Sequence, residues 1–205
     1  GGSSYTAGTG LVLAGAGTTE FNTANTGNFD QVTFSDNALG NPVIRLGTST
    51  ANTGSEAVYI GTEAGQQSSG THNNYIGFNA GHRAEGSWNN YIGYQAGYQE
   101  TGTQYAQSFG YQAGKGAINL SNSIMIGNHA GGGATGTATP MAASTTILIG
   151  ESAGQYSSGL TSSVVIGATA AHTSHESYNS VVIGNYAGYE TSGCSFITAL
   201  GDGAA

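Results

Sequence analysis

Tyr91-Ile92-Gly93-Tyr94-Gln95-Ala96-Gly97 contains one copy of a pattern, Ile-Gly-x-x-Ala-Gly, whose repetition decides the fold. The pattern returns at Ile60–Gly65, Ile76–Gly81, Phe109–Gly114, Ile126–Gly131, Ile149–Gly154 and Ile183–Gly188, with degenerate copies at Leu46-Gly47, Ile166–Ala171 and Leu200–Ala205. Its first glycines are Gly47, Gly61, Gly77, Gly93, Gly110, Gly127, Gly150, Gly167, Gly184 and Gly201, spaced 14, 16, 16, 17, 17, 23, 17, 17 and 17 residues apart. An insertion between Gly131 and Ile147 accounts for the long step. A near-constant period of this kind marks a stacked array in which each unit is one coil.

Every unit has the same internal order. Short runs rich in β-branched residues precede the first glycine, as in Val58-Tyr59-Ile60, Ile124-Met125-Ile126, Ile147-Leu148-Ile149, Val164-Val165-Ile166 and Val181-Val182-Ile183. Such runs favour a short strand over a helix. The first glycine permits a sharp turn or a close backbone approach, a small alanine points inward, and a second glycine turns the chain again. Polar residues return it to the next strand. Asparagines at the strand entrance (Asn73-Asn74, Asn89-Asn90, Asn122, Asn179) are placed to stack coil on coil. These glycines, alanines and asparagines read as architecture.

The reading is therefore an all-β parallel solenoid of about ten coils of 14–17 residues over residues 42–205, with an insertion loop at 132–146 and an N-terminal β-segment or connector at 1–41. Two short strands and two turns make one coil, and neighbouring coils sit ~4.8 Å apart. A coil this small encloses little core. Its three or four apolar residues, all on one strand, form a stripe that would be a liability on a monomer. Burying three stripes about a threefold axis resolves the problem, so a homotrimer is expected.

Composition narrows the function. The chain has 205 residues, 36 of them glycine, only 7% charged, with a net charge of −8; ordinary domains carry roughly 25% charged residues. Arg45, Arg83 and Lys115 are the only Lys or Arg residues, too few and too scattered to neutralise phosphates, so nucleic acid and anionic membranes are not expected partners. No apolar run approaches the ~20 residues of a spanning helix. The lone Cys194 forms no internal disulfide framework. Gly1 is not methionine and Ala205 falls in mid-coil, which points to a processed chain or part of a longer one.

The unit Asn179-Ser180-Val181-Val182-Ile183-Gly184-Asn185-Tyr186-Ala187-Gly188 resembles the head repeat of trimeric autotransporter adhesins, the YadA-like head. That resemblance covers about residues 42–205 and implies a left-handed parallel β-roll, trimeric, with the apolar strands facing the threefold axis. The units here are longer than that family's, and Tyr and Asn-Asn replace part of its motif in the first units. Tyr5-Thr6-Ala7-Gly8-Thr9-Gly10-Leu11-Val12-Leu13 is similar to a segment of phage tail fibres, as are arrays such as Tyr91–Gly97. These resemblances imply a structural and adhesive part of a virion tail fibre that attaches to a host, with other fibre or virion proteins and a host-surface glycan as partners. The alternatives are the head of a bacterial surface adhesin and, further off, an ice-binding solenoid, whose flat threonine array is not matched because the threonine phase drifts here.

No catalytic role is expected. A glycan-cleaving spike needs a carboxylate pair ~5–10 Å apart, and only Glu85 and Glu100 fall in nearly the same phase of adjacent coils, where they read as solvated loop residues. His172 and His175 share a loop but lack the further ligands of a metal site, and no cofactor is expected. The hexapeptide helix of acyltransferases fails because His172 and Tyr178 occupy positions that must be aliphatic. The candidate recognition residues are aromatic: Tyr94, Tyr98, Tyr111, Tyr186 and Tyr189 after the first glycines, and Trp88 and Tyr105 in return loops. Exposed rings can stack on sugars, and the insertion is a second place for binding because loops on a rigid scaffold often carry it.

Overall fold

The computed structural model describes residues 43–46, 56–133, 142–175, 178–193 and 195–204. The chain divides into two compact units, Gly1–Thr33 and Phe34–Ala205, and all the described residues belong to the second. Gly47, most of the insertion and the fibre-like segment near Tyr5 lie outside the described residues.

The described residues are all β and turn, with no helix. The strands Val43–Leu46, Ala57–Ile60, Asn74–Ile76, Asn90–Ile92, Gln107–Phe109, Ile124–Ile126, Ile147–Ile149, Val164–Ile166, Val181–Ile183 and Thr198–Leu200 form one ten-stranded sheet, each paired with the next coil's strand and all parallel. From Ala57 onward, nine strands are joined by about eight turns of a β-solenoid. A second sheet of Ile118–Ser121, Ala142–Ser144 and Ser158–Thr161 runs up another side. Single bridges such as Thr101↔Ile118, Ser158↔His175 and His175↔Ser192 continue it. Ala142–Ser144 lies within the stretch read as an insertion loop, yet it is a strand of this second sheet, so the extra residues are confined between Gly133 and Ala142.

The strand triplets do not form a single stripe. Side chains alternate between faces along a strand, so the middle residue points inward and its neighbours outward. Tyr59, Tyr75, Tyr91, Ser108, Met125, Leu148, Val165, Val182 and Ala199 are therefore buried inside the coils. With the motif alanines Ala64, Ala80, Ala96, Ala130, Ala153 and Ala187 all of them but the polar Ser108 form one internal hydrophobic cluster. The single chain thus has more core than its coil length suggested. Three of its members stack: Tyr59 on Tyr75 at 5.2 Å and Tyr75 on Tyr91 at 4.9 Å between ring centroids, a spacing set by the strand pairing itself.

The two glycines of the motif have different reasons. Gly61 has φ +126° and a Cβ there would lie 2.6 Å from the carbonyl oxygen of Gly77, so the first glycines stack backbone on backbone. Gly65 has φ +64° and a Cβ would lie 2.7 Å from the Tyr59 ring, so the second glycine makes room for the internal side chain. Other corners place non-glycine residues in the left-handed region, among them His72, Trp88, Tyr105 and Asn122 just before the strands. Strain of this kind persists only where surrounding contacts hold it, and Trp88, Tyr105 and Asn122 are held by backbone hydrogen bonds to the preceding coil, such as Trp88 N–H to Thr71 O at 3.0 Å and Asn122 N–H to Gln104 O at 3.0 Å.

The strand-entrance asparagines do two jobs. Asn74 donates through Nδ2 to Asn90 Oδ1 at 2.6 Å, and Asn90 to Gln107 Oε1 at 2.8 Å, a ladder on the outward face. Asn73 and Asn89 are buried and bond backbone: Asn89 Oδ1 accepts from the Ala106 N–H at 2.9 Å while its Nδ2 donates to Thr103 O at 3.1 Å. In later coils Ser163 and Ser180 take over, accepting from the N–H groups of Ser180 and Ile197. Asn122 and Asn179 belong to neither ladder; both are left-handed corner residues, φ +53° and +51°.

Candidate functional site

The aromatic residues singled out for recognition stand on the outside of the solenoid as ladders. His72, Trp88 and Tyr105 stack at 5.3 and 5.1 Å. Phe78, Tyr94, Tyr111 and His129 stack at 5.3, 5.0 and 5.4 Å. Tyr98 stacks on His82 at 5.0 Å, and the Lys115 ammonium lies 5.5 Å from its ring centre. Tyr189 stacks on His172 at 5.4 Å, with Tyr186 tilted against it at 6.0 Å.

This geometry bears directly on sugar stacking, which needs a free ring face. Coils ~4.8 Å apart place each ring against the next, so Trp88, Tyr94 and Tyr111 have neighbours on both faces and are exposed only at their edges. Tyr105 and Tyr186 are different. Among the described residues Tyr105 closes its ladder with Trp88 alone stacked upon it, and Tyr186, 53% exposed, is tilted out of line. Of the seven rings, Tyr186 is the most exposed.

The histidines are structural partners in the same ladders. His72 also pairs with Glu56 at 2.6 Å, and His175 Nδ1 meets Ser158 Oγ at 2.8 Å while His172 stacks on Tyr189, so the two histidines of one loop serve different contacts. Among the described residues no three His, Cys, Asp or Glu side chains gather as metal ligands. Burial holds the imidazoles of His82, His129 and His172 below the usual histidine range.

Glu100 departs from its reading as a solvated loop carboxylate. It is fully buried, whereas Glu85 is exposed. Backbone bonding explains why: Ala84 N–H reaches Gly81 O and Glu100 N–H reaches Gly97 O, so Glu100 occupies the inward place of Ala84 and not that of Glu85. The carboxyl therefore lies inside the coil column. The hydroxyls of Tyr91 and Thr103 lie against it and favour its charge, but burial outweighs them and pushes the carboxyl up to about 8. Neither oxygen has a hydrogen bond of good geometry, and the Ser108 hydroxyl beyond is likewise unpartnered. At neutral pH the group is mostly the protonated acid, which makes it an internal polar node and removes it from any carboxylate pair with Glu85.

No protein-family model, curated protein or solved structure matches the chain. The functional reading therefore rests on the residues and their geometry.

Proposed function

We propose that this chain is one protomer of a homotrimeric fibre: a left-handed β-roll of about ten coils in a bacteriophage tail fibre that attaches the virion to its host. One observation carries the reading. The last residue of the strands is apolar in every coil from Ile60 to Leu200: Ile60, Ile76, Ile92, Phe109, Ile126, Ile149, Ile166, Ile183 and Leu200. All point away from the chain's own core. At ~4.8 Å per coil the row runs ~38 Å, and from Ile124 to Val181 a second outward row, Ile124, Ile147, Val164 and Val181, widens it.

A continuous apolar row on a rigid sheet marks an interaction surface. The row is straight, repeats once per coil and is the same on each copy, so three copies side by side about one axis bury it along its whole length. The resemblance of Asn179–Gly188 to the YadA-like head supports the same packing and would equally suit the head of a bacterial surface adhesin. The low charge and the hydroxyl- and amide-rich outer surface suit a component outside the cell that meets a host glycan and other fibre proteins.

The test is a cross-link. Ile149→Cys in a Cys194→Ser background, treated with a three-armed maleimide, is expected to give a three-chain band on a denaturing gel. Cross-linking of Arg83→Cys in the same way serves as the outward-facing comparison. Single-chain product from Ile149→Cys would refute the packing.

A further inference from the structure

Each coil presents one side chain at the fifth position after its first glycine, and these form a row along the solenoid. On one side run His82, Tyr98 and Lys115; on the other Gln155, His172 and Tyr189; between them stands Gly132. The row is otherwise packed, with His82–Tyr98 at 5.0 Å, Lys115 at 5.5 Å from the Tyr98 ring, and His172–Tyr189 at 5.4 Å. The next residue, Gly133, also lacks a side chain where Tyr156 stands one coil on. Two adjacent glycines thus remove one coil's worth of side chain from an otherwise continuous row.

The result is a cleft of about 210 Å³, floored by Gly132 and Gly133 with His129 of the same coil beside them, and walled by Gln112 and Lys115 of one flanking coil and Gln155 and Tyr156 of the other. The flanking coils stand ~9.6 Å apart, twice the coil spacing, which admits one ring between them just as the ladders hold one ring per coil. The volume falls below the about 300–1,000 Å³ of pockets for drug-sized molecules and suits one ring of a chain that continues outside.

The walls are polar: two amides, an ammonium, an imidazole and a phenol. Gln112 and Lys115 both donate to Gln95 Oε1, at 2.7 and 2.9 Å, which fixes their positions and leaves the ammonium two further protons. Among the described residues Lys115 forms no ion pair, and burial lowers its pKa, so a partly desolvated cation lacks an anionic partner among them. The nearby acid is Glu151, exposed and felt at His129.

We infer that this cleft binds a uronic acid residue of a polysaccharide, its carboxylate on the Lys115 ammonium and its hydroxyls on the amides of Gln112 and Gln155. A sugar ring supplies the thickness, the hydroxyls and the carboxylate that this slot lacks. The inference stands on the cleft alone and does not depend on the trimeric fibre reading.

The probe is trigalacturonic acid, titrated calorimetrically into the native chain beside a neutral galactose trisaccharide. The acidic sugar is expected to bind and the neutral one to bind about tenfold more weakly or not at all, the difference a charge-assisted hydrogen bond makes. Lys115→Met should lose about tenfold or more for the acidic sugar. Gly132→Gln should abolish binding by restoring the missing side chain. Gly132 has no left-handed φ, and a Cβ there lies 3.1 Å from His129 O and 3.4 Å from Gln112 O, so the substitution asks for only a small adjustment. His72→Ala, in another ladder, should leave binding unchanged. The proposal is overturned if trigalacturonic acid does not bind, if the neutral sugar binds equally well, or if a folded Lys115→Met chain binds as the native does.

Discussion

Replacing Glu100 with glutamine removes an ionisable group from the interior while keeping its shape. In the folded chain the carboxyl sits near 8, against an ordinary value of 4.5. The folded state therefore holds its proton more tightly than the unfolded chain does. Stability from this group is greatest below pH 4.5, falls as pH rises through the window to about 8, and is level above it. At about 1.4 kcal/mol for each tenfold change, the whole window amounts to about 5 kcal/mol, of which about 3 kcal/mol has accrued by pH 7. Glu100→Gln does not titrate and avoids this loss. The assay is urea denaturation of both chains from pH 5 to pH 9. The variant's advantage should grow from about 1 kcal/mol at pH 5 to about 4 kcal/mol at pH 8 and level off near about 5 kcal/mol by pH 9. His82, His129 and His172, whose lowered values cost stability as pH falls below the ordinary histidine range, act in both chains and cancel in the difference. The hydroxyls of Tyr75 and Tyr91, pushed up by burial, stay neutral throughout. A difference that is constant across this range would refute the buried acid.

Three further outcomes follow from the internal column and its corners. Tyr75 has a buried hydroxyl without a hydrogen-bond partner, so Tyr75→Phe should be neutral or stabilising by about 1 kcal/mol, whereas Tyr75→Ala should cost about 3–5 kcal/mol in urea denaturation. Gly93→Ala would place a Cβ on the Gly110 carbonyl at φ +139° and should cost more than about 3 kcal/mol, with Gly132→Ala within about 1 kcal/mol of the native chain as its comparison. Asn89→Ala strips a partner from the Ala106 N–H and the Thr103 carbonyl and should cost about 2–4 kcal/mol by the same assay, with Asn89→Ser recovering part of it, as serine serves this place in later coils.

The repeat made the solenoid legible because the glycines answer to backbone geometry, which the coil-to-coil spacing imposes regardless of what else each coil carries. The internal column was harder to see. Asn74-Tyr75-Ile76 and Asn90-Tyr91-Ile92 look like half-apolar strands until the alternation of faces is applied, when the tyrosines align with Met125, Leu148 and Val165 as core. Glu100 was misplaced for a related reason. Counting from the first glycine sets it beside Glu85 within one residue, but one residue is the whole difference between the inside and the outside of a coil. The aromatic phases of Phe78, Tyr94 and Tyr111 were readable. That stacking at the coil spacing covers ring faces follows from the same ~4.8 Å that defines the solenoid. The cleft at Gly132 left a signal too, two glycines where neighbouring coils carry Lys115 and Gln155-Tyr156, but it has meaning only once the rows are aligned in space.

The central claim is that the outward row from Ile60 to Leu200 is buried between three copies of this chain. Light scattering on the purified chain measures it most directly, since each copy has a mass of 20.5 kDa. Three copies give about 62 kDa, the product of 3 and 20.5 kDa, and Ile149→Glu with Ile183→Glu should lower that mass by placing charges along the shared axis. A native chain that stays at 20.5 kDa across concentrations would contradict the account.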